Sequence, residues 1–472
     1  MLRKARICLA IIFFVGITLL LAGWWDDAPA WLGWMPKIQF LPALLAGSIG
    51  ILAGLLLLTL IFGRVYCSVI CPLGVMQDGI SWIHGRSKKL RFSYSPELKW
   101  LRYGVWVLYV AAIIAGLQAA VAILAPYSAY GRMVSTLLGP FWTQSLTALL
   151  IALVTFGVIA VLAWKNGRTW CNAICPVGTT LSFVSRFSLL RPVIDESKCK
   201  NCRKCERACK AACISIKDHK IDYSRCVDCF DCIDNCSFGA LKYRFAYGKK
   251  SSPAEEPDGN RREVLKAGAI ALAGLASAKI EAIAQDNKKR DGGLAEITPK
   301  QDPERQVPLT PFGSRSVDDF YRRCTACQLC VSVCPNGVLS PSTDLSHLMQ
   351  PEMSYAGGWC RPECTKCSQV CPSGAILPLT AEEKTSHHIG YAVVDRDLCV
   401  VETDGVSCGN CARHCPAGAI MMVRKDKDDP DSAKIPAVNT ERCIGCGACE
   451  YVCPSRPISA IHVEGRKDHI TN

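Results

Sequence analysis

The sequence lacks the motifs that would support several common kinds of enzyme chemistry. It contains no C-x-x-C-H haem-attachment sequence, and none of its eight histidines lies within a long apolar stretch. It also has no G-x-G-x-x-G turn after a strand, no phosphate-binding loop and no nucleophile motif. These absences argue against haem, flavin, nicotinamide and hydrolytic chemistry. The formal charge of +13 comes without a helix-turn-helix, RNA-binding or zinc-finger pattern, so no nucleic-acid partner is expected.

Cysteine, in contrast, is abundant. There are 30 cysteines in 472 residues, and 24 of them form six runs of four with the spacing of iron–sulfur ligands. The runs come in three tandem pairs. In such a two-fold repeat, each cubane cluster takes three thiolates from one run and the fourth from the partner run. Six [4Fe–4S] clusters are therefore predicted, and disulfides or zinc are the weaker interpretations.

The crosswise rule assigns these cysteines to six ligand sets. In the first module the sets are Cys199, Cys202, Cys205 and Cys236, then Cys226, Cys229, Cys232 and Cys209. In the second they are Cys324, Cys327, Cys330 and Cys371, then Cys360, Cys364, Cys367 and Cys334. In the third they are Cys399, Cys408, Cys411 and Cys453, then Cys443, Cys446, Cys449 and Cys415. Cys213 is either a competing ligand or a small buried residue of the first module.

Four apolar stretches are long enough to cross a hydrocarbon layer of about 30 Å. They are Ile7–Trp24, Leu41–Gly63, Leu101–Leu124 and Gln144–Trp164. Lysine and arginine cluster before the first stretch, between the second and third, and after the fourth, so both ends of this unit are expected in the cytoplasm. Residues 1–190 are thus predicted to form a membrane bundle of four transmembrane helices. Residues 191–250 are predicted to form a cytoplasmic two-cluster module with the α+β fold of bacterial ferredoxins.

Two C-x3-C-P motifs follow the second and fourth apolar stretches. One contains Cys67 and Cys71, the other contains Cys171 and Cys175, and each continues as Pro-x-Gly. Because each follows an even-numbered span, the four thiols should gather at the cytoplasmic face, where stable disulfides are not expected. Either the four cysteines jointly hold a metal or a seventh cluster, or they are redox-active or structural thiols.

A different kind of signal lies in the linker formed by residues 251–290. Arg261 and Arg262 precede a short, mildly apolar run that ends in the A-x-A triplet 276–278. This pattern is typical of a twin-arginine export signal, here inside the chain, and the alternative is an interfacial amphipathic helix. The twin-arginine route serves folded, cofactor-loaded proteins. Residues 291–472, which hold sixteen cluster-type cysteines, are therefore expected to form a four-cluster ferredoxin domain in the periplasm.

The C-x3-C-P pair followed by a ferredoxin module resembles the NapH/MauN family of membrane polyferredoxins, over about residues 1–245. The twin-arginine stretch with the four-cluster module resembles the NapG/MauM family, over about residues 255–472. The chain thus looks like a fusion of two proteins that form a quinol dehydrogenase pair. The resemblance implies a protein of the bacterial inner membrane that oxidises quinol and delivers electrons to a periplasmic reductase or c-type cytochrome.

Three functions fit this combination of patterns. The leading one is an electron-transfer protein, in which quinol gives two electrons that clusters accept one at a time. The second is a maturation factor that donates electrons while a periplasmic metalloenzyme is assembled. The third is a cupric or other metal reductase that acts through the four thiols of the C-x3-C-P motifs. Polar residues near the membrane ends, such as Gln77, Asp78 and Arg132, are candidates for a quinone site, with ordinary interfacial residues as the alternative.

Overall fold

The computed structural model describes residues 2–24, 31–87, 92–115, 117–138, 146–246, 290–291, 295–296, 298–426, 428–429 and 431–471. The chain forms two compact units, of which the first comprises residues 1–246 and 300–472 and the second residues 247–299. The predicted export signal at Arg261 and Arg262, with its A-x-A triplet, lies outside the described residues.

Apolar helices dominate the N-terminal part of the first unit. They are α1 Leu2–Ala22, α2 Trp34–Lys37, α3 Phe40–Leu45, α4 Ile49–Phe62, α5 Val65–Val69, α6 Pro72–Ser87, α7 Lys99–Ile114, α8 Gln118–Leu124, α9 Pro126–Leu138, α10 Leu146–Asn166 and α11 Pro176–Ser185. A π-helical turn, Trp170–Ile174, separates α10 from α11. Proline at the first position starts α11, where its missing N–H removes no helical hydrogen bond.

Two described helices are long and apolar enough to cross a membrane, namely α1 and the segment Thr147–Asn166 of α10. The second predicted span is divided into α3 and α4, because the chain turns at Gly47, whose φ of 69° is open to glycine at little cost. The third is divided into α7 and α8. The predicted bundle of four continuous spanning helices is therefore not confirmed.

The first cysteine-rich module follows α11 and has a two-fold character. Its elements are β1 Leu190–Ile194, α12 Lys204–Ala208, β2 Ile214–Ser215, β3 Lys220–Ile221, α13 Asp231–Asp234 and β4 Leu241–Phe245. Strand β1 pairs with β4, and β2 pairs with β3, both in antiparallel register. Each of the two short helices carries the third cysteine of its run, Cys205 in α12 and Cys232 in α13.

The second unit contributes β5 Arg290–Asp291 and β6 Ala295–Glu296, which pair with each other. The remaining helices belong to the first unit and are α14 Val317–Arg323, α15 Leu329–Ser332, α16 Lys366–Val370, α17 Ala381–Thr385, α18 Val400–Thr403, α19 Asn410–Arg413 and α20 Ala448–Val452. The strands there are β7 Leu339–Pro341, β8 Pro351–Met353, β9 His387–Val394, β10 Ile420–Arg424, β11 Lys434–Val438 and β12 Ile461–Thr471. Antiparallel pairs join β7 to β8, β9 to β12 and β10 to β11.

Helix α1 contacts both cysteine-rich regions, one at each of its ends. Near its start, Arg3 Nε lies 2.7 Å from a carboxylate oxygen of Asp231 in the first module. At its end, Ser332 Oγ of α15 donates a hydrogen bond of 3.5 Å to the carbonyl of Leu20. A helix of 21 residues is about 31 Å long. The first module and the Cys324–Cys334 run therefore lie at opposite ends of a helix that is as long as a hydrocarbon layer is thick.

Candidate iron–sulfur sites and the paired cysteine motifs

Four of the six cysteine runs share the same local backbone. The residues on either side of the middle cysteine have positive φ, as Asp228 (48°) and Phe230 (62°) do around Cys229. The equivalent pairs are Asn201 and Arg203, Ala326 and Gln328, and Gly445 and Gly447. Left-handed conformations at non-glycine residues cost of the order of 1 kcal/mol each and persist only where the surroundings impose them. The shared geometry curls each of these runs into a tight loop. The middle cysteine is buried in three of them, at Cys229, Cys327 and Cys446, and exposed at Cys202.

The structure brings together the cysteines of each predicted crosswise set. Cys199, Cys202, Cys205 and Cys236 line one small cavity, and Cys399, Cys408, Cys411 and Cys453 line another. The fourth cysteines Cys209, Cys371, Cys334 and Cys415 likewise interact with the three-cysteine runs to which the crosswise rule assigns them. None of the 30 cysteines forms a disulfide bond. Within the described residues, no three His, Cys, Asp or Glu side chains are close enough to hold a single metal ion.

Cys213 lies beside the set that contains Cys209. The two sulfur atoms are 3.5 Å apart and both side chains are buried. The hydrogen bond from Cys213 lowers the pKa of Cys209 to about 7. Cys213 is thus a buried fifth thiol beside this set, which agrees with a small buried residue of the module and leaves it a candidate competing ligand. Cys8, in contrast, is exposed on α1.

Lys384 is a buried cation that contacts the set of Cys334, Cys360, Cys364 and Cys367. A capping box formed by Thr380 and Glu383 starts α17 and fixes the helix that carries it. Its Nζ donates to Cys360 Sγ at 3.2 Å, and also to the carbonyls of Arg361 and Cys364. The side chain is 2% exposed. Lys384 is not evident from the sequence as a site residue, because it lies about twenty positions from the cysteines that it contacts and belongs to no motif.

The C-x3-C-P motifs are longer than the sequence analysis recognised. Each is preceded by Gly-Arg-x-aromatic, so the repeated unit is G-R-x-[YW]-C-x3-C-P-x-G, at Gly63–Gly74 and Gly167–Gly178. The arginines, Arg64 and Arg168, are 0% and 1% exposed. The repeated Gly-Arg pair was visible in the sequence and would have identified both arginines as part of the site. We refer to the two units as the paired motifs.

The arginine of each paired motif donates a hydrogen bond to a cysteine carbonyl of the other motif. Arg168 Nη1 donates to the carbonyl of Cys67 at 2.8 Å, and Arg64 Nη2 donates to the carbonyl of Cys171 at 3.1 Å. Arg64 Nη2 also lies 3.7 Å from Cys67 Sγ, and Arg168 Nη1 lies 3.8 Å from Cys171 Sγ. Each guanidinium therefore joins the cysteines of both motifs, which holds the four thiols around one buried site.

The arginines differ in their other partners. Asp78 accepts from Arg168 Nε at 2.9 Å and also pairs with Arg6 and Lys210. Arg64 instead donates to the side-chain oxygen of Asn172 and to the carbonyl of Ser224, both at 3.0 Å. The described residues show no carboxylate in an ion pair with the Arg64 guanidinium.

The first module contacts both paired motifs at the Gly-Arg pair with which each motif begins. The backbone N–H of Arg64 donates to Asp228 at 2.9 Å, and that of Arg168 donates to the carbonyl of Lys210 at 3.0 Å. Burial raises the pKa of Asp228 to about 7. Asp228 lies between Cys226 and Cys229, and Lys210 follows Cys209. The set of Cys209, Cys226, Cys229 and Cys232 is therefore the one adjacent to the paired motifs.

Helix α9 connects the paired motifs to the second module. A Cβ added to Gly131 of α9 would lie 2.4 Å from the carbonyl of Cys327, so the helix and this cysteine loop touch backbone to backbone. Tyr66 and Tyr127 are 1% and 2% exposed. One continuous buried cluster contains both tyrosines together with cysteines of the first module, the paired motifs and the second module, namely Cys229, Cys67, Cys71, Cys175 and Cys327.

The second and third modules are also in contact with each other. The backbone N–H of Cys360 donates to the carbonyl of Cys446 at 3.0 Å, which joins the second module to the third. Tyr355, 0% exposed, donates to the carbonyl of Gly445 at 2.6 Å at the same junction. The C-terminal modules therefore meet through the loops that carry their cysteines.

The polar residues considered for a quinone are packed inside the protein. Gln77 donates to Cys171 Sγ at 3.3 Å, Asp78 lies within its ion-pair network, and Arg132 donates to the carbonyl of Ala122 at 2.7 Å. None of the three exceeds 9% exposure. A cavity of about 350 Å³ lies nearby, at the end of α10, and its lining includes Lys165, Thr169, Asn172, Ala211 and Arg225.

Comparison with known proteins defines the class of this chain. A family described as a 4Fe-4S binding domain matches residues 44–91 and 148–193, the two segments that contain the paired motifs. A 4Fe-4S dicluster domain matches residues 406–456, and a further 4Fe-4S binding domain matches residues 320–340. The chain is thus an iron–sulfur protein of the ferredoxin type.

Relatives narrow this class. An uncharacterized protein of Methanocaldococcus jannaschii is 31% identical over 194 residues, which are 40% of this chain and 67% of the relative. The ferredoxin-type protein NapH of Haemophilus influenzae is 28% identical over 190 residues, 38% of this chain and 62% of NapH. The methylamine utilization ferredoxin-type protein MauN of Paracoccus denitrificans is 29% identical over 191 residues, 40% of this chain and 56% of MauN.

The chain belongs to the same family as the M. jannaschii protein, and it is a homologue of the ferredoxin-type electron-transport proteins NapH and MauN. It spans less than two thirds of the length of the H. influenzae NapH and of the P. denitrificans MauN, so the match does not carry over the whole activity of these relatives.

Proposed function

We propose that this chain conducts electrons across a membrane, from quinol on one side of the paired motifs to an acceptor in the periplasm. The observation that carries the proposal is the continuous buried cluster, which joins Cys229 of the first module to Cys327 of the second by way of the paired motifs. Each predicted cluster would take up and pass on one electron. The contacts between the cysteine loops would determine the order in which the electron passes from one ligand set to the next.

The contacts between cysteine loops support one linear order. The set of Cys209 abuts the paired motifs through Asp228 and Lys210, and the paired motifs connect through α9 to the set of Cys371. The set of Cys334 then meets the set of Cys415 through the Cys360–Cys446 hydrogen bond. The set of Cys199 shares the first module with the set of Cys209, and the set of Cys399 shares the third module with the set of Cys415. These two sets therefore stand at the two ends of the order.

The contacts of α1 support a membrane-crossing arrangement. Its basic first turn pairs with the first module, and its last turn contacts the second module about 31 Å away. Positively charged flanks favour a cytoplasmic location for the first module. The C-terminal modules then lie on the periplasmic side, which is where a twin-arginine signal at Arg261 and Arg262 would direct them. This arrangement is also what a fusion of NapH/MauN-like and NapG/MauM-like proteins would produce.

The cavity at the end of α10 is a suitable entry point for quinol. It lies between the π-helical turn that carries Cys171 and the first module, and its volume of about 350 Å³ is within the range of small-molecule pockets. Asn172, Thr169 and Arg225 supply polar groups for a quinol headgroup. Electrons released there would be next to both the set of Cys209 and the paired motifs.

The test is iron and acid-labile sulfide per chain on anaerobically purified full-length protein, followed by reduction with a menaquinol analogue under electron paramagnetic resonance. Six clusters correspond to about 24 iron atoms, and an occupied paired motif would raise this to about 28. Quinol should reduce clusters of both the first module and the C-terminal modules. A chain with few iron atoms, or clusters that quinol leaves oxidised, would contradict the proposal.

The other functions that the sequence left open give different results in the same preparation. A maturation factor would be needed only while its metalloenzyme is assembled, whereas a respiratory relay would reduce a mature partner over many turnovers. A cupric reductase would lose copper reduction when Cys67, Cys71, Cys171 and Cys175 are replaced by serine. Retained copper reduction in that variant would exclude the metal-reductase function.

A further inference from the structure

The charged side chains around the paired motifs include more cations than carboxylates. Arg64 and Arg168 are both buried against the thiols, and Arg6 and Lys210 lie behind them. Three carboxylates lie among them: Asp78 pairs with Arg168, Arg6 and Lys210, Asp231 pairs with Lys210 at 2.9 Å, and Asp228 accepts from the backbone N–H of Arg64. A buried charge is stable only when a counter-charge accompanies it. The four cations outnumber these three carboxylates, so negative charge on the four-cysteine site would balance the group.

This requirement separates the alternatives for the four cysteines. Two disulfides or four neutral thiols would leave the Arg64 guanidinium without an ion-pair partner among the described residues. It is hydrogen-bonded to an amide oxygen, to carbonyls and to Cys67 Sγ, and Asp228 accepts from the backbone N–H of Arg64 rather than from its side chain. Four thiolates on an oxidised [4Fe–4S] core carry a net charge of about −2. That charge matches the two guanidiniums that face the thiols.

The hydrogen-bond donors around the sulfur atoms fit the same group. The backbone N–H of Gly178 donates to Cys175 Sγ at 3.3 Å, and that of Gly74 makes the equivalent bond to Cys71. Gln77 donates to Cys171 Sγ at 3.3 Å. Hydrogen bonds to sulfur, together with net charge and burial, are the means by which a protein sets the reduction potential of a cluster.

We propose that Arg64 and Arg168 are the exchanged counter-charges of a cluster held by Cys67, Cys71, Cys171 and Cys175, and that they raise its reduction potential. The inference rests on the proposed function, in which this centre stands between the first and second modules. One electron added to the centre makes it more negative by one unit, and two adjacent cations stabilise that state. Both arginines are positioning residues, because they act on the centre through its ligands.

If the arginines act electrostatically, removing a positive charge and removing a negative charge should shift the reduction potential of the centre in opposite directions. Arg64→Gln and Arg168→Gln each remove a positive charge and should make the centre harder to reduce. Asp78→Asn removes a negative charge beside Arg168 and should make it easier to reduce. Arg64→Lys keeps the charge and should restore most of the potential. A merely structural role for the arginines would not reverse the sign in Asp78→Asn.

The experiment is a potentiometric titration of the full chain, followed by electron paramagnetic resonance and iron analysis. A variant with all four cysteines replaced by serine identifies the signal of the paired motifs and should lose about four iron atoms. In Arg64→Gln, that signal should titrate with at least a tenfold smaller reduction equilibrium constant, which is 59 mV for a one-electron couple. Arg186→Gln, an exposed arginine in the same region, is the matched control and should leave it unchanged.

Every outcome of this titration bears on the inference. Full iron retention in the four-serine variant would overturn it, and so would a signal that does not move in Arg64→Gln and Asp78→Asn. If Arg64→Gln yields no folded protein, Asp78→Asn and Arg64→Lys decide the matter through the predicted rise and recovery of the potential. The six other ligand sets, titrated in the same samples, report separately on whether the proposed electron route exists.

Discussion

Arg168 and Gly74 come from different cysteine motifs and share one small space. A Cβ added to Gly74 would lie 2.6 Å from Arg168 Nη1 and 2.1 Å from the carbonyl of Cys67. The equivalent pair in the repeat is Gly178 and Arg64, where a Cβ on Gly178 would lie 2.7 Å from Arg64 Nη2. The final glycine of each motif thus leaves room for the arginine of the other, and this explains why the repeated unit ends in glycine.

Replacing Gly74 or Gly178 by alanine should therefore disrupt the paired motifs. The added methyl group must displace a carbonyl or a buried guanidinium, and neither can move without breaking the exchange of arginines. We expect loss of about four iron atoms per chain, measured by iron analysis, with the signals of the six other sets retained. Gly79→Ala is the matched control, because this glycine is in the same helix and nothing lies within 4 Å of the added atom. Equal iron content in all three variants would contradict the prediction.

The crosswise ligand sets can be tested with single serine substitutions in the second module. Cys371→Ser should remove the same electron paramagnetic resonance component as Cys324→Ser, because the structure groups Cys371 with Cys324, Cys327 and Cys330. Cys334→Ser should remove a different component. Cys8→Ser, at an exposed cysteine outside every set, should remove none. If Cys371→Ser and Cys334→Ser removed the same component, the crosswise assignment would be wrong.

Lys384 should raise the reduction potential of the cluster held by Cys334, Cys360, Cys364 and Cys367. Its ammonium is buried against Cys360 and stabilises the extra negative charge of the reduced state. Lys384→Met should lower the potential of one C-terminal cluster by an amount on the order of 60 mV, a tenfold change in the equilibrium constant. Lys467→Met, at an exposed lysine of β12, serves as the control in the same titration. An unchanged potential in Lys384→Met would contradict the assigned role.

The pair of His469 and His387 should make the C-terminal domain sensitive to acid. Their nearest ring nitrogens are 3.3 Å apart and both contact the carbonyl of Ser314. Burial, followed by repulsion from His387, lowers the pKa of His469 to about 4, whereas an unfolded histidine titrates near 6.5. Between these values the unfolded state binds more protons, so stability is present above about pH 6.5 and is lost as the pH falls toward 4.

The loss amounts to at most about 3 kcal/mol by the linkage relation. Amide hydrogen exchange of the β9–β12 pair at pH 7 and at pH 4.5 measures it in the full chain. His469→Gln should show a smaller pH dependence than the unmodified protein at matched iron content. The same dependence in both proteins would assign the acid sensitivity to other groups.

Much of the cysteine chemistry was predictable because its determinants are local. The spacing of each run fixes a tight loop, and the two-fold repeat of each module fixes which fourth cysteine joins it. Cys236 lines the same small cavity as Cys199, and Cys453 lines the same small cavity as Cys399, whereas the crosswise ligand sets themselves stay a prediction. Long apolar helices were equally readable for α1 and α10, where no glycine interrupts the run at a turn.

Tertiary structure alone decided the features that join distant parts of the chain. Hydropathy treats 41–63 as one span, but Gly47 ends α3 there, since mean hydropathy carries no information on backbone conformation. The contacts of Lys384 with Cys360, of Gly131 with Cys327 and of Asp228 with Arg64 depend on how whole elements pack. The sequence by itself determined which residues can hold clusters, because ligand spacing is a local property. The contacts between those sites, and the charged residues around them, were decided by packing, because only the folded chain brings such residues together.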